Sequence, residues 1–175
     1  MDADTNGHKR TETELLLLTE NQRRALPIAT SSTPWRGTVT DSWTAFHGRD
    51  IQTHYRIQVS ERFKGPVEST VEVIAPGGTV GDLHQNVAGS PVLNKGAEFV
   101  FFLWTSKAGD TWITGLTQGL FSLSGNGDPM ANRAGNRELT LDPATGRPVK
   151  DNALSMRLSD LRSRIAAKLG PAGVQ

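Results

Sequence analysis

The sequence predicts a mainly β domain, a small antiparallel barrel with a short helix toward each end. Three observations predict it. Apolar and polar residues alternate with period two in several runs between Trp35 and Leu123. Gly, Pro, Asn and Asp break these runs about every ten residues. A period of 3.6 is found only near the two ends. The 175 residues suit one domain with a real core. Only 36% are hydrophobic, below the globular average of about 45–50%, so part of the chain should be loop or tail. Residues 1–11 read as a disordered lead-in, 12–170 as a single domain whose barrel core spans about 35–123, and 171–175 as a tail.

Taken in order, residues 12–26 combine helix formers with Leu15, Leu18, Gln22 and Leu26 at helical spacing, and Pro27 stops them. Thr30 to Pro34 is a linker. Trp35, Gly37, Val39, Asp41 and Trp43 then alternate with polar neighbours. After His47-Gly48-Arg49-Asp50, so do Ile51, Thr53, Tyr55, Ile57 and Val59. Two such runs about a Gly/Asp loop make a hairpin. The shared parity of Trp35 and Trp43 predicts that both pack on one side. Val67, Ser69, Val71, Val73 and Ala75 form a third strand, ended by Pro76-Gly77-Gly78. Residues 76–96 show no period and exceed the usual connection of about 4–6 residues, so they read as one long loop that needs a purpose.

Ala97 to Trp104 is apolar on both faces and so belongs at the centre of a sheet. A turn at Ser106–Asp110 returns it as a strand from Thr111 to Leu116, and Gly119 to Leu123 is another. Gly125 to about Asn136 is a second loop. Arg137–Leu141 and Arg147–Lys150 flank Asp142-Pro143-Ala144-Thr145-Gly146 as a small hairpin. Leu158, Leu161, Ile165 and Leu169 share a helix face, with Ser159 as N-cap and Gly170-Pro171 as stop.

Hairpins in series have edges to protect, and closure removes them. The paired first strands, a Gly37 able to bend sharply and a central apolar strand suit an OB-type Greek-key barrel; a two-sheet sandwich is the alternative. The order Gly37-x-Val39, Tyr55-x-Ile57-x-Val59, Phe63-Lys64-Gly65, Val71-x-Val73 and Gly96-x-Glu98-Phe99-Val100-x-Phe102-Leu103 resembles the netrin-module and tissue-inhibitor-of-metalloproteinase group of OB-fold domains. Pro76-Gly77-Gly78-Thr79-Val80-Gly81, Val87-x-Gly89-x-Pro91 and Gly115-Leu116-x-Gln118-Gly119-x-Phe121 are similar to a set of uncharacterised bacterial proteins, over about residues 35–123. The resemblance implies an OB-like barrel and, because bacterial members are commonly exported, an extracytoplasmic place if a leader has been removed. It implies no activity. The inhibitor group reaches a protease's zinc through an N-terminal cysteine, and this chain has no cysteine, so that mechanism does not transfer.

Composition narrows the chemistry further. Nineteen Lys and Arg against eighteen Asp and Glu give a net charge of +1, which offers no field for a polyanion. Without cysteine there are no disulfides, thiolate metal sites or cysteine nucleophiles. The longest apolar run, Phe99 to Trp104, falls far short of the ~20 residues of a membrane span. No stretch reads as an export leader, and the compartment and oligomeric state stay open.

Gly77-Gly78-Thr79-Val80-Gly81 lacks the Lys-Ser/Thr of a phosphate loop, so its glycines serve turning. Gly89-Ser90-Pro91 lacks the second glycine of a nucleophile elbow. His8, His47, His54 and His84 lack zinc spacing, and Asp41, Asp50, Glu61, Glu68, Glu72 and Glu98 form no evident pair. Trp35, Trp43, Trp104 and Trp112 read as packing residues, since a base-stacking surface would want a positive groove.

No cofactor, metal or catalytic residue is expected, and enzymatic activity is disfavoured without being decided. The leading expectation is a soluble, non-enzymatic module that binds a protein or peptide partner. Its candidate site is Thr79, Asp82, Leu83 and His84 in the long loop, with Gln118 beside it as loop brace or ligand. One alternative is a hydrolase assembled from His54, Asp82, His84 and Ser90, which requires those four to meet. The other is single-stranded nucleic-acid binding on an OB face.

Overall fold

The computed structural model describes residues 33–63, 65, 68–135, 140, 141, 145, 147–149 and 152–169. The expected lead-in 1–11, the helix 12–26 and the tail 171–175 lie outside them.

Alternating side chains become strands here because one face of each can be buried. β1 (Thr33–His47) and β2 (Asp50–Arg62) form a long antiparallel ribbon whose two-residue turn holds Gly48 at φ 65°. β2 pairs with β3 (Thr70–Pro76). The long loop then folds into a hairpin of its own, β4 (Gly78–Val80) and β5 (Leu83–Gln85); strands this short leave no readable period.

β6 (Glu98–Thr105) pairs along one edge with β1. Its other edge takes β7 (Thr111–Ile113) and then β8 (Leu120–Ser124), separated by a 3-10 turn at Leu116–Gly119. β9 (Met130–Arg133) lies within the expected second loop, where four residues bordered by turns give too little pattern to read. β10 (Thr140–Leu141) and β11 (Pro148–Val149) form the small hairpin, and β12 (Leu154–Arg157) runs into α1 (Leu158–Leu169).

The chain is thus mainly β with a C-terminal helix. The sheet order is β1-β2-β3-β7-β6-β8-β9-β12, and β6 pairs back onto β1. The first five strands therefore make a ring, joined between β3 and β7 by one parallel pair, Ile74 with Trp112. The expectation of a closed antiparallel barrel is corrected: the sheet is mixed, eight-stranded and only partly ring-closed. The physical reason is at β6, whose second edge is divided between the three-residue β7 and β8, so the sheet continues outward past the ring.

β6 is apolar on both faces because it serves two cores. Phe99, Phe101 and Leu103 point into the ring with Trp35, Val39, Tyr55, Ile57 and Val73. Val100 and Phe102 point outward and meet Phe121, Ala131 and the helix residues Leu158, Leu161 and Ile165. The predicted helix face is the buried one. Its cap is not the predicted one: Asp128, from the loop before β9, accepts from the Ser159 backbone N–H at 2.9 Å and from the Ser159 hydroxyl at 2.7 Å. Ser159 is therefore the capped residue rather than the cap. Those two bonds, the hydroxyl's first, hold the Asp128 carboxyl below its ordinary range. Arg162 ties the helix to the ring through Glu61, at 3.0 and 2.6 Å.

The pairing of Trp35 with Trp43 on one side is also corrected. The β1–β2 register slips between Val39 and Asp41, leaving Thr40 as an extra residue. One extra residue exchanges the two faces of the strand beyond it. Trp35 lies in the ring at 7% exposure, whereas Trp43 stands on the outer face, stacked on His54 at 5.3 Å.

Candidate functional site

The β4–β5 hairpin lies over the tip of the β1–β2 ribbon and is fastened there through its backbone. The Gly77 N–H donates to the Ile51 carbonyl at 2.8 Å, and the Thr53 hydroxyl to the Gly77 carbonyl at 2.7 Å. The Thr44 hydroxyl donates to the Thr79 carbonyl and the Ser90 hydroxyl to the Pro76 carbonyl. Gln85 closes the far strand, accepting from the Ile51 N–H and donating to Asp50 at 3.2 Å. Gly78, at φ 141°, makes the close approach possible, since a Cβ there would lie 2.7 Å from both Thr44 Cγ2 and Thr53 Oγ1.

The Thr79–His84 pair faces away from the ribbon, and Leu83 pairs with Val80 on the opposite face. Thr79, Asp82, Leu83 and His84 are all exposed, Leu83 at 61%. Thr79 Oγ1 and His84 Nδ1 are 2.8 Å apart across the hairpin. Four of the five expected binding residues thus lie in one hairpin, Thr79 and His84 on one face of it, Leu83 on the other and Asp82 at its turn. Gln118 does not join them: it sits in the 3-10 turn packed on β6 and β7, while the hairpin packs on β1 and β2.

Each member of the alternative hydrolase set has its own placement. His54 Nδ1 is 2.8 Å from Glu72 Oε1 on the outer face. His84 meets Thr79, Ser90 donates to Pro76, and Asp82 stands at the hairpin turn. Among the described residues no hydrogen bond or ion pair joins any two of the four. Nor does any group of three or more His, Cys, Asp or Glu among them form a set that could hold a metal ion.

A row that sequence reasoning missed crosses the outer face. Following strand partners, Trp43 opposes His54, His54 opposes Ile74, Ile74 opposes Trp112, and Trp112 opposes Trp104. Half of this was legible, because Trp104 and Trp112 stand equally far from Ala108 in the middle of a hairpin turn. The other half depended on the bulge at Thr40. Asp41, Arg56 and Glu72 form the next row, with Arg56 5.4 Å from the Trp43 ring and 3.8 Å from Asp41.

A recess of about 350 Å³ is lined by Trp35, Arg62, Glu68, Val71 and Leu103, among others. The Arg62 guanidinium lies over the Trp35 ring at 4.4 Å. None of the expected site residues borders this recess. No helix among the described residues is long and apolar enough to cross a membrane. Comparison with family models, with curated proteins and with solved structures found no match to the chain.

Proposed function

We propose that the chain is a non-enzymatic binding module, an OB-like ring that presents the 78–85 hairpin to a protein or peptide partner. One observation carries the reading: the Thr79 carbonyl, the Gln85 side chain and the Gly77 carbonyl just before the hairpin are hydrogen-bonded to β1 and β2, while Thr79, Asp82, Leu83 and His84 are exposed. Loops fixed on a rigid scaffold are where recognition surfaces are built, because little ordering entropy remains to be lost on binding. A 61% exposed leucine between an acid and a histidine supplies an apolar anchor with polar flanks.

Strand order supports the OB-like part of the reading. β1, β2, β3, β7 and β6 follow one another round the ring, β6 returns to β1, and β3 runs parallel to β7. One circuit of partners that leaves β1 at Trp43 comes back to it beside Thr33, the stagger a small tilted ring requires.

The test is a photo-reactive residue at Leu83, with a control at exposed Arg164 on the helix. A protein adduct from position 83 alone, lost in Asp82→Ala/His84→Ala with unchanged circular dichroism, is the expected result. Equal adducts at both positions, or none at either, would reject the site.

A second reading is favoured by the outer aromatic row, since rings on an OB face stack bases of single strands. Against it, Trp43 is already stacked on His54, and Asp41 and Glu72 flank the row. Flow-through on an oligonucleotide column at low ionic strength would end it.

A further inference from the structure

β1 is longer than the strand that covers it. β6 pairs with Thr33 to Thr38 only, and the last main-chain bonds on that side join Val39 to Ala97 and Gly96. β6 itself begins at Glu98, and a bulge at Thr40 follows in β1 just past that end. Beyond it, residues 41–47 pair with β2 alone among the described residues, and no main-chain hydrogen bond from any of these reaches their other edge.

The geometry of that edge follows from the turn. His47 and Asp50 flank the two-residue loop and form a hydrogen-bonded pair. Counting back in twos, Ala45, Trp43 and Asp41 direct their N–H and C=O groups toward β2, so Phe46, Thr44 and Ser42 direct theirs outward. The stretch Ser42-Trp43-Thr44-Ala45-Phe46 carries no Lys or Pro to discourage pairing. Phe46 is 50% exposed.

We propose that this edge pairs antiparallel with the same edge of a second copy of the chain, about a two-fold axis at Thr44. That register sets Thr44 against itself and Ser42 against Phe46, matching every outward N–H with a C=O. On the outer face it sets Asp41 opposite His47 of the second copy and Trp43 opposite Ala45. Large meets small, and the carboxylate meets the imidazole, at both ends of the contact. A self-complementary patch of this kind is what an isologous dimer needs. Other registers lose this match: moving the axis to Trp43 brings the two indoles into direct opposition.

Sedimentation of the full chain over a concentration series tests the pairing. The mass should pass from one chain to two as concentration rises. Thr44→Pro removes the central N–H donor, which β2 does not use, and should hold the protein at one chain. His47→Asp sets like charges opposite each other twice and should raise the dissociation constant about tenfold. Asp41→His combined with His47→Asp should restore it, and this arm stands even if the proline variant does not fold. A single chain at every concentration, or a dimer indifferent to the charge exchange, would overturn the proposal.

Discussion

Gly78 and Gly81 are three positions apart in the same hairpin and both have positive φ, yet the structure asks different things of them. At Gly81, φ 59°, a Cβ would meet nothing within 4 Å. Replacement by alanine there costs only the left-handed backbone, about 1 kcal/mol. At Gly78, φ 141°, the Cβ would also strike the side chains of Thr44 and Thr53. Strain and overpacking together should cost roughly 2–4 kcal/mol. Urea melts of Gly78→Ala and Gly81→Ala should therefore separate clearly, with Gly78→Ala the less stable. Similar midpoints would mean that the hairpin does not lie against β1 and β2. The sequence made both glycines legible as turn residues. It could not reveal the close approach at Gly78, because the atoms approached are 34 and 25 positions away in the chain.

At the level of elements, legibility followed length and alternation. β2, β3, β6 and α1 each bury a continuous face, and β1 does so from Trp35 to Val39, so their pattern was written in the residues. β4, β5, β9 and β12 have three or four residues each, too few to show a period, and exist because longer neighbours offer them an edge. The bulge at Thr40 was illegible because it depends on how two strands are paired, and it moved Trp43 to the opposite face. Hence the sequence placed its candidate residues in the 76–96 segment and did not show the outer aromatic row. The helix start shows the same limit, since its cap comes from Asp128, 31 positions before Ser159. That cap has a signature in pH. The folded-state pKa of Asp128 is lowered, so its contribution is complete above the unfolded value and is lost as pH falls through the folded one, below about pH 4. Asp128→Asn should lower the melting temperature at pH 7 and flatten its fall below about pH 4. An acid limb identical to that of the native chain would show that another carboxylate governs it.

For the whole molecule, the position of β6 decides how the two halves are coupled. One strand supplies Phe99 and Phe101 to the ring and Val100 and Phe102 to the layer under α1, so neither core can be disturbed without touching the strand that carries the other. Phe101 and Phe102 are adjacent, 0% and 1% exposed, and belong to different cores. Truncating either to alanine should cost a similar amount, about 3–5 kcal/mol, so global stability will not distinguish them. Local opening will, because contacts are lost first where the cavity is. Hydrogen exchange should quicken most in β9, β12 and α1 for Phe102→Ala, and in β1, β2 and β3 for Phe101→Ala. The 78–85 hairpin hangs from β1 and β2 and not from the helix layer, so it should loosen with Phe101→Ala and stay protected with Phe102→Ala. Acceleration of the same amides by both substitutions would mean that the ring and the helix layer form one cooperative unit, and that β6 joins them instead of dividing them.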